Sequence, residues 1–321
     1  MSNAAHPDLV TTPVEDTVVP AILPAEPSER GALPGGLASA DAVVDQPPPS
    51  ILRRLPTSGI AMAGLAIIGV WAVLALLAPI LPLQPPNAQD FAALADPFPS
   101  SAHWLGTDQL GRDILSRLIW GARTVLTVAP VAVLAAYVVG CAMGLLSGYY
   151  GGFVDAAVSR ASDVILSFPI VVLYVILIAN IGPSVLNIVV AVVLASSPGI
   201  GRIVRGLVLE LKEQDFVPAA RLRRESDPYI MLIELLPNCR GPLITDFCLR
   251  LGYTTITIGT LGFLGLGLPP PDPDWGGMVQ QATAMITVFP HMALFPCFAI
   301  VSLVLGFNLL ADGLRELSLS D

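Results

Sequence analysis

Six apolar runs of spanning length divide the chain, at about 59–81, 124–146, 164–181, 186–202, 251–268 and 293–310. A helix rises 1.5 Å per residue, so roughly 18 to 20 apolar residues cross the hydrocarbon of a bilayer. The pattern predicts an all-α membrane protein of about six transmembrane helices. Pro169 lies in the third run, and Ser196, Ser197 and Pro198 lie in the fourth. Kinks there are tolerable in lipid when neighbouring helices or water satisfy the freed carbonyls. Residues 1–56 lack any hydrophobic period, are rich in Pro, Ala and acidic side chains, and close on Pro47, Pro48 and Pro49. They read as a disordered, solvated tail, and residues 57–321 as one membrane domain.

Two connections are too long to be turns. One runs from Leu83 to Arg123, the other from Arg202 to Arg240. Connections of that length carry function or structure of their own. The second holds seven of the sixteen Lys and Arg residues. Counting basic residues near the spans predicts that it lies inside, with both termini, because inner flanks then hold eleven Lys and Arg and the outer loops only Arg112, Arg117 and Arg123. Asp113 and Arg117, four apart, are expected to pair on a helix over 108–123. Leu110, Ile114, Leu115, Leu118 and Ile119 would form its apolar stripe, with Arg112, Asp113 and Arg117 on the wet or subunit-facing side.

Composition agrees with lipid as the solvent: 54% of residues are hydrophobic and 13% charged, against about 25% charged in a soluble domain. The net charge of −9 is concentrated in residues 1–50, which hold seven acidic residues and Arg30 alone. No basic stripe of the kind that binds nucleic acid remains. The four cysteines, Cys141, Cys239, Cys248 and Cys297, have no metal or redox spacing and read as buried small hydrophobes. The only lysine is Lys212, and no phosphate-binding Gly-x-x-x-x-Gly-Lys loop exists. No catalytic, cofactor or metal residues are expected.

Gly140, Gly144 and Gly148 repeat every four residues and so share one helix face. Small residues there let a second helix approach closely. In the inner connection, Asp215 suits an N-cap, Pro218 then falls in the first turn, and Arg221, Arg223 and Arg224 fall near the C-terminal end. Phe216, Val217, Ala219 and Ala220 complete this short helix, and Asp227-Pro228 opens a second one running to Pro237. Two readings of the 213–238 loop remain open from its composition: an amphipathic hairpin on lipid headgroups, or a docking element for a cytoplasmic subunit.

Four stretches resemble the permease subunits of peptide-importing ABC transporters, the dipeptide/oligopeptide/nickel group. The first runs from His103 to Arg123 (HWLGTDQLGRDILSRLIWGAR). The second is Gly148-Tyr149-Tyr150-Gly151-Gly152 followed by Asp155, Arg160 and Asp163. The third is the inner loop, in the position of that group's Glu-Ala-Ala loop. The fourth is Leu264–Pro270 with Trp275-Gly276, then Asn308–Arg315. Pro218 stands where the loop pattern has Glu, Arg224 where it has Gly, and Ile258 where an acid usually precedes the glycine run.

The resemblance implies a type I ABC importer permease in the bacterial inner membrane. It implies a second permease chain as heterodimeric partner, and cytoplasmic ATPase subunits that bind ATP and Mg and dock on Asp215, Phe216, Val217, Pro218, Ala219, Ala220, Arg221 and Arg224. It also implies an extracytoplasmic binding protein and a di- or oligopeptide substrate. Within the same group, nickel or haem is the alternative cargo. A self-contained secondary transporter or channel is the reading from another class; Asp246 and Arg250, the one charged pair close to a span, would be its gate.

Overall fold

The structure, a computed structural model, describes residues 55–269 and 271–319. The predicted tail, except Leu55 and Pro56, lies outside them, as does Pro270. The described chain is helical: α1 is Gly59–Leu77, α2 Ile114–Tyr150, α3 Gly152–Leu166, α4 Ile170–Ile181 and α5 Val185–Leu211. Then come α6 Phe216–Leu222, α7 Arg240–Phe263, α8 Trp275–Ala282 and α9 His291–Leu319. Four of these, α1, α2, α5 and α9, are long and apolar enough to cross a membrane, and the bent pair α3–α4 makes a fifth if it is one span.

Three expectations change. The fifth apolar run lies on α7, which ends at Phe263 and is not among the helices long and apolar enough to cross. The third apolar run is not one span: the chain turns by 86° between α3 and α4, at Ser167-Phe168-Pro169. Pro169 supplies no N–H to extend α3 and opens α4 instead. The 12 residues of α4 reach about 18 Å, short of a bilayer's hydrocarbon. The second run is only part of α2, whose 37 residues extend to about 55 Å. α2 therefore joins the 83–123 connection to the opposite end of the bundle without a break.

Close helix crossings hold the bundle together. A Cβ on Gly140 would lie 2.6 Å from Ile200 Cβ, one on Gly144 2.5 Å from Val204 Cβ, and one on Gly148 2.8 Å from Val208 Cβ. Both sets advance by four, so α2 and α5 run side by side in register. Bare backbone lets them touch where lipid gives helices no hydrophobic reason to associate. α1 meets α9 in the same way: Gly64 lies under Gly306 and Leu310, and Gly313 under Ala61. Only Ala61, Gly64 and Ala75 of α1 are buried; Val70, Val73 and Leu76 face outward. Trp71 crosses to α9 through Nε1–H to Ser302 Oγ at 2.9 Å and meets the Trp275 ring edge-on at 5.0 Å.

Candidate functional site

The signature stretch is helical only from Ile114, and the part before it is a lock. α2 begins only at Ile114, where Asp113 caps it by accepting from Ser116 N at 2.7 Å. Before it, residues 107–113 fold into a tight turn closed by pairing of Thr107 with Asp113, with Gly106 and Gly111 at φ +81° and +74°. Arg112, Asp113 and Arg117, expected to face water or a subunit, are all buried. Asp113 does not pair with Arg117; it receives His103 Nδ1 at 3.0 Å. Arg112 Nε and Arg117 Nε instead converge on Asp108 Oδ2, at 2.7 and 3.7 Å. The rest of the two guanidiniums ties distant chain together, Arg112 to Gln281 Oε1 and Arg117 to Pro86 O and Asn87 Oδ1. Buried charges need such partners, and these come from over 150 residues away in one case and about 30 in the other, so no local pattern points to them.

The glycine-rich stretch after α7 serves the same end. Trp275 is fully buried, donates to Leu118 O at 2.9 Å, and packs against Gly121, where a Cβ would be 2.7 Å from its Cδ1. Asp274 caps α8 through Gly276 N and Gly277 N, while Gly262 and Gly267 leave room for its carboxylate. Burial raises its pKa to about 6, against the pull of those two N–H donors and of Arg117.

At the opposite end, α3 is tied to α5 by Asp155, which takes both Nε and an Nη of Arg205 (2.5 and 2.7 Å), and by Asp163 with Arg202. Gly151 and Gly152, at φ +65° and +52°, make the reversal that brings α3 back alongside. These contacts account for the two acidic positions of the second stretch, Asp155 and Asp163, while Arg160 is exposed.

The 213–238 loop is built into this end. Asp215 stands at the N-cap of α6 but its side chain makes no capping bond. Pro218 is in the first turn. Ser226 stands, without a capping bond, before a helical turn over Asp227–Tyr229, and a π-helical segment, Ile230–Leu235, leads through Leu236–Asn238 into α7. Val217, Ala220, Ile230 and Leu235 are fully buried and join Leu145, Tyr149, Ile200, Val204 and Val208 in one apolar cluster. Tyr149 adds a hydrogen bond to Asp227 Oδ1 at 2.8 Å and carries the Arg221 guanidinium over its ring at 5.3 Å. Lys212 Nζ reaches Gly148 O at 3.2 Å, near the end of α2. The alanine pair therefore divides: Ala219 is exposed, whereas Ala220, expected to face a partner, packs inward. Ala220 lies three residues from Val217, about 60° away around the helix, and so shares its core-facing side. Pro218, Ala219, Arg221, Leu222 and Arg224 make the exposed face, and Phe216 is half-buried. Arg224 adopts φ +60°, the only described non-glycine residue at positive φ.

Asp246 and Arg250, one turn apart on α7, form an ion pair of 2.6 Å, and Tyr137 of α2 donates to the same Asp246 oxygen. Of the cysteines, Cys239 and Cys248 are buried, Cys141 is partly so and Cys297 is exposed, against the expectation for it. Among the described residues no cluster of three His, Cys, Asp or Glu side chains is placed to hold a metal.

Apolar helices of this length, with their charges confined to the bundle ends apart from one pair, make the chain a multi-pass membrane protein. Residues 138–319 match the family described as binding-protein-dependent transport system inner membrane component. The chain is 38% identical over 264 residues to the dipeptide transport system permease protein DppC of Alkalihalophilus pseudofirmus, covering 82% of this chain and 86% of that one. It is 39% identical over 265 residues to the glutathione transport system permease protein GsiD of Pectobacterium atrosepticum, covering 82% and 88%. It is 39% identical to the protein of that name from Escherichia coli, covering 82% and 87%. The chain belongs to this family: it is an ABC transporter permease, the membrane component of a binding-protein-dependent transport system.

Proposed function

We propose that this chain is one of two permease subunits that together form the pathway of an ATP-driven importer of short peptides. Both cargoes in the relatives' names, a dipeptide and glutathione, are short peptides. Nickel and haem find no such support. The two ATPase subunits bind and hydrolyse ATP; this chain transmits their movement. The loop over 213–238 faces the cytoplasm with both termini, and the turn at 103–113 faces the binding protein.

The observation that carries the coupling role is the two-sided inner loop. Its buried side is continuous with the core between α2 and α5, and its other side offers Pro218, Ala219 and Leu222 ringed by arginines. A rigid element fixed to two long helices can pass a push on its outer face to the spans, which is what alternating access requires. The headgroup-hairpin reading would leave the loop free to slide on lipid, and its fixed underside argues against that. The test is to purify the tagged chain from membranes with its neighbours. A second permease and ATPase subunits should copurify, and in liposomes with the binding protein the complex should take up a labelled dipeptide only with ATP. Uptake driven by an ion gradient without ATPase subunits would refute the proposal. Residues 1–56 stay outside this mechanism, and removing residues 2–45 should leave uptake intact.

A further inference from the structure

α7 carries a charged residue midway along its length. Arg250 is the eleventh of 24 residues, about 15 Å from one end and about 20 Å from the other. α7 is not among the helices long and apolar enough to cross on their own, but an ionisable side chain away from the helix ends inside a membrane bundle is rare and marks a functional site by default. Asp246 neutralises it, and Tyr137 holds Asp246 in place. Two charges needed only for stability would be replaced at no loss by apolar side chains of similar volume.

The guanidinium is engaged on one edge. Nε bonds Asp246, while Nη1 and Nη2 lie over Gly199 of α5, 3.7 and 3.4 Å from where its Cβ would stand. With no side chain at Gly199, the Nη edge borders a cavity of about 210 Å³ between α4, α5 and α7. Tyr174, Ser196, Thr254 and Thr257 supply hydroxyls to its wall. A second cavity of about 250 Å³ shares Ile170, Tyr174, Tyr253 and Thr257 with it and is otherwise lined by Val171, Ile256, Leu261 and one hydroxyl side chain, Thr260. A planar fork of donors at one end, hydroxyls beside it and an apolar space beyond fit a short peptide entering carboxylate first.

We infer that Arg250 is the carboxylate-binding residue of a substrate groove in the membrane part of this chain. The inference rests on the peptide-importer reading and deepens it. Because Asp246 already balances the charge, the site holds a carboxylate weakly enough to release it. Gly199 is kept bare so that the ligand can reach the fork.

The test uses the whole transporter in liposomes, with binding protein pre-saturated by either alanyl-phenylalanine or its C-terminal amide. Wild type should move the free carboxylate about tenfold faster than the amide. Arg250→Gln should lower carboxylate transport to the amide's rate and leave the amide's rate where it was. Since Arg250→Gln also disturbs Asp246, Gly199→Val provides a second variant: it keeps the ion pair, covers the Nη edge, and should narrow the preference in the same way. Both variants should still copurify with the partner permease. Unchanged preference in both variants overturns the inference. So does equal loss of both ligands, or loss of the partner permease on Arg250→Gln, which would assign Arg250 to an ion pair between subunits. A wild-type complex that moves neither ligand fails earlier, at the peptide-importer reading, and is thereby told apart.

Discussion

Arg224 holds a conformation that its side chain resists. At φ +60° a Cβ crowds the following carbonyl, at about 1–2 kcal/mol for an L-residue. The turn between α6 and the next helical segment demands that geometry, and the group this chain resembles has glycine there. Arg224→Gly should therefore tighten the loop by up to about 1 kcal/mol, after allowing for glycine's extra freedom when unfolded, and Arg224→Val should loosen it. Amide exchange over Phe216–Leu222 reads both, with opposite signs expected. If the two move exchange alike, backbone strain is not what the arginine brings. Asp274 carries a different tension, between burial and its cap. Its carboxyl is raised from an ordinary 3.8 to about 6, so the folded state holds its proton more tightly than the unfolded chain does. That contribution is complete below about pH 4 and is lost as pH rises through about 6, a change of about 3 kcal/mol at 1.36 per unit. Asp274→Asn keeps an oxygen for the α8 cap and cannot ionise. Melting curves of the variant in detergent should be flatter than wild type between pH 4 and 7, and higher at pH 7. A variant that melts lower at pH 7 would show that the charge is stabilised by Arg117 after all.

At the scale of helices, the α2–α5 crossing is the contact with least room for change. A Cβ at Gly144 would stand 2.5 Å from Val204 Cβ and 2.6 Å from Gly201 O, and backbone does not give way as a long side chain can. Gly144→Leu should force the helices apart at a cost of about 3 kcal/mol or more and sharply reduce the monodisperse fraction in detergent. Gly206 lies on the same α5 with nothing within 4 Å of its would-be Cβ. Gly206→Ala should be neutral or stabilising by up to about 1 kcal/mol, from helix propensity alone. Equal damage from both would mean that helix flexibility, not contact, is what these glycines provide. A spacing of four is visible in the sequence, since it belongs to one helix; the helix it meets is not. The same division explains the other differences. The hydropathy of 164–181 is unbroken across Phe168 and Ile170, so it cannot report an 86° bend that depends on Pro169 and on Asp155 and Asp163 binding α5. Nor can a helical stripe reveal that Arg112 and Arg117 are buried, because, Asp108 apart, the groups that receive them lie far along the chain. The α1–α9 crossing at Gly64, Gly306 and Gly313 escaped sequence reading because none of these glycines repeats at a short period.

For the whole molecule, the inner loop decides whether the bundle moves as proposed, and its two faces make separable predictions. On the outer face, Ala219 is exposed beside Pro218 and Leu222. Ala219→Glu leaves the core alone and puts volume and charge where an ATPase subunit would close on the loop. An unmatched charge or an overpacked contact of about 2.7 kcal/mol lowers affinity a hundredfold. The variant should insert, keep its partner permease and resist proteolysis at 213–238 as well as wild type, yet lose the ATPase on copurification and lose uptake. On the inner face, Ala220 is fully buried among Val217, Ile230 and Leu235. Ala220→Glu places an unpaired carboxylate in an apolar cluster, which the loop can relieve only by opening. It too should lose the ATPase, but with proteolysis appearing within 213–238. Glu210→Ala, an exposed change on α5 just before the loop, should do neither. Retention of a bound ATPase and full uptake by Ala219→Glu would mean that the exposed face is not the docking surface, however firmly the other face is anchored.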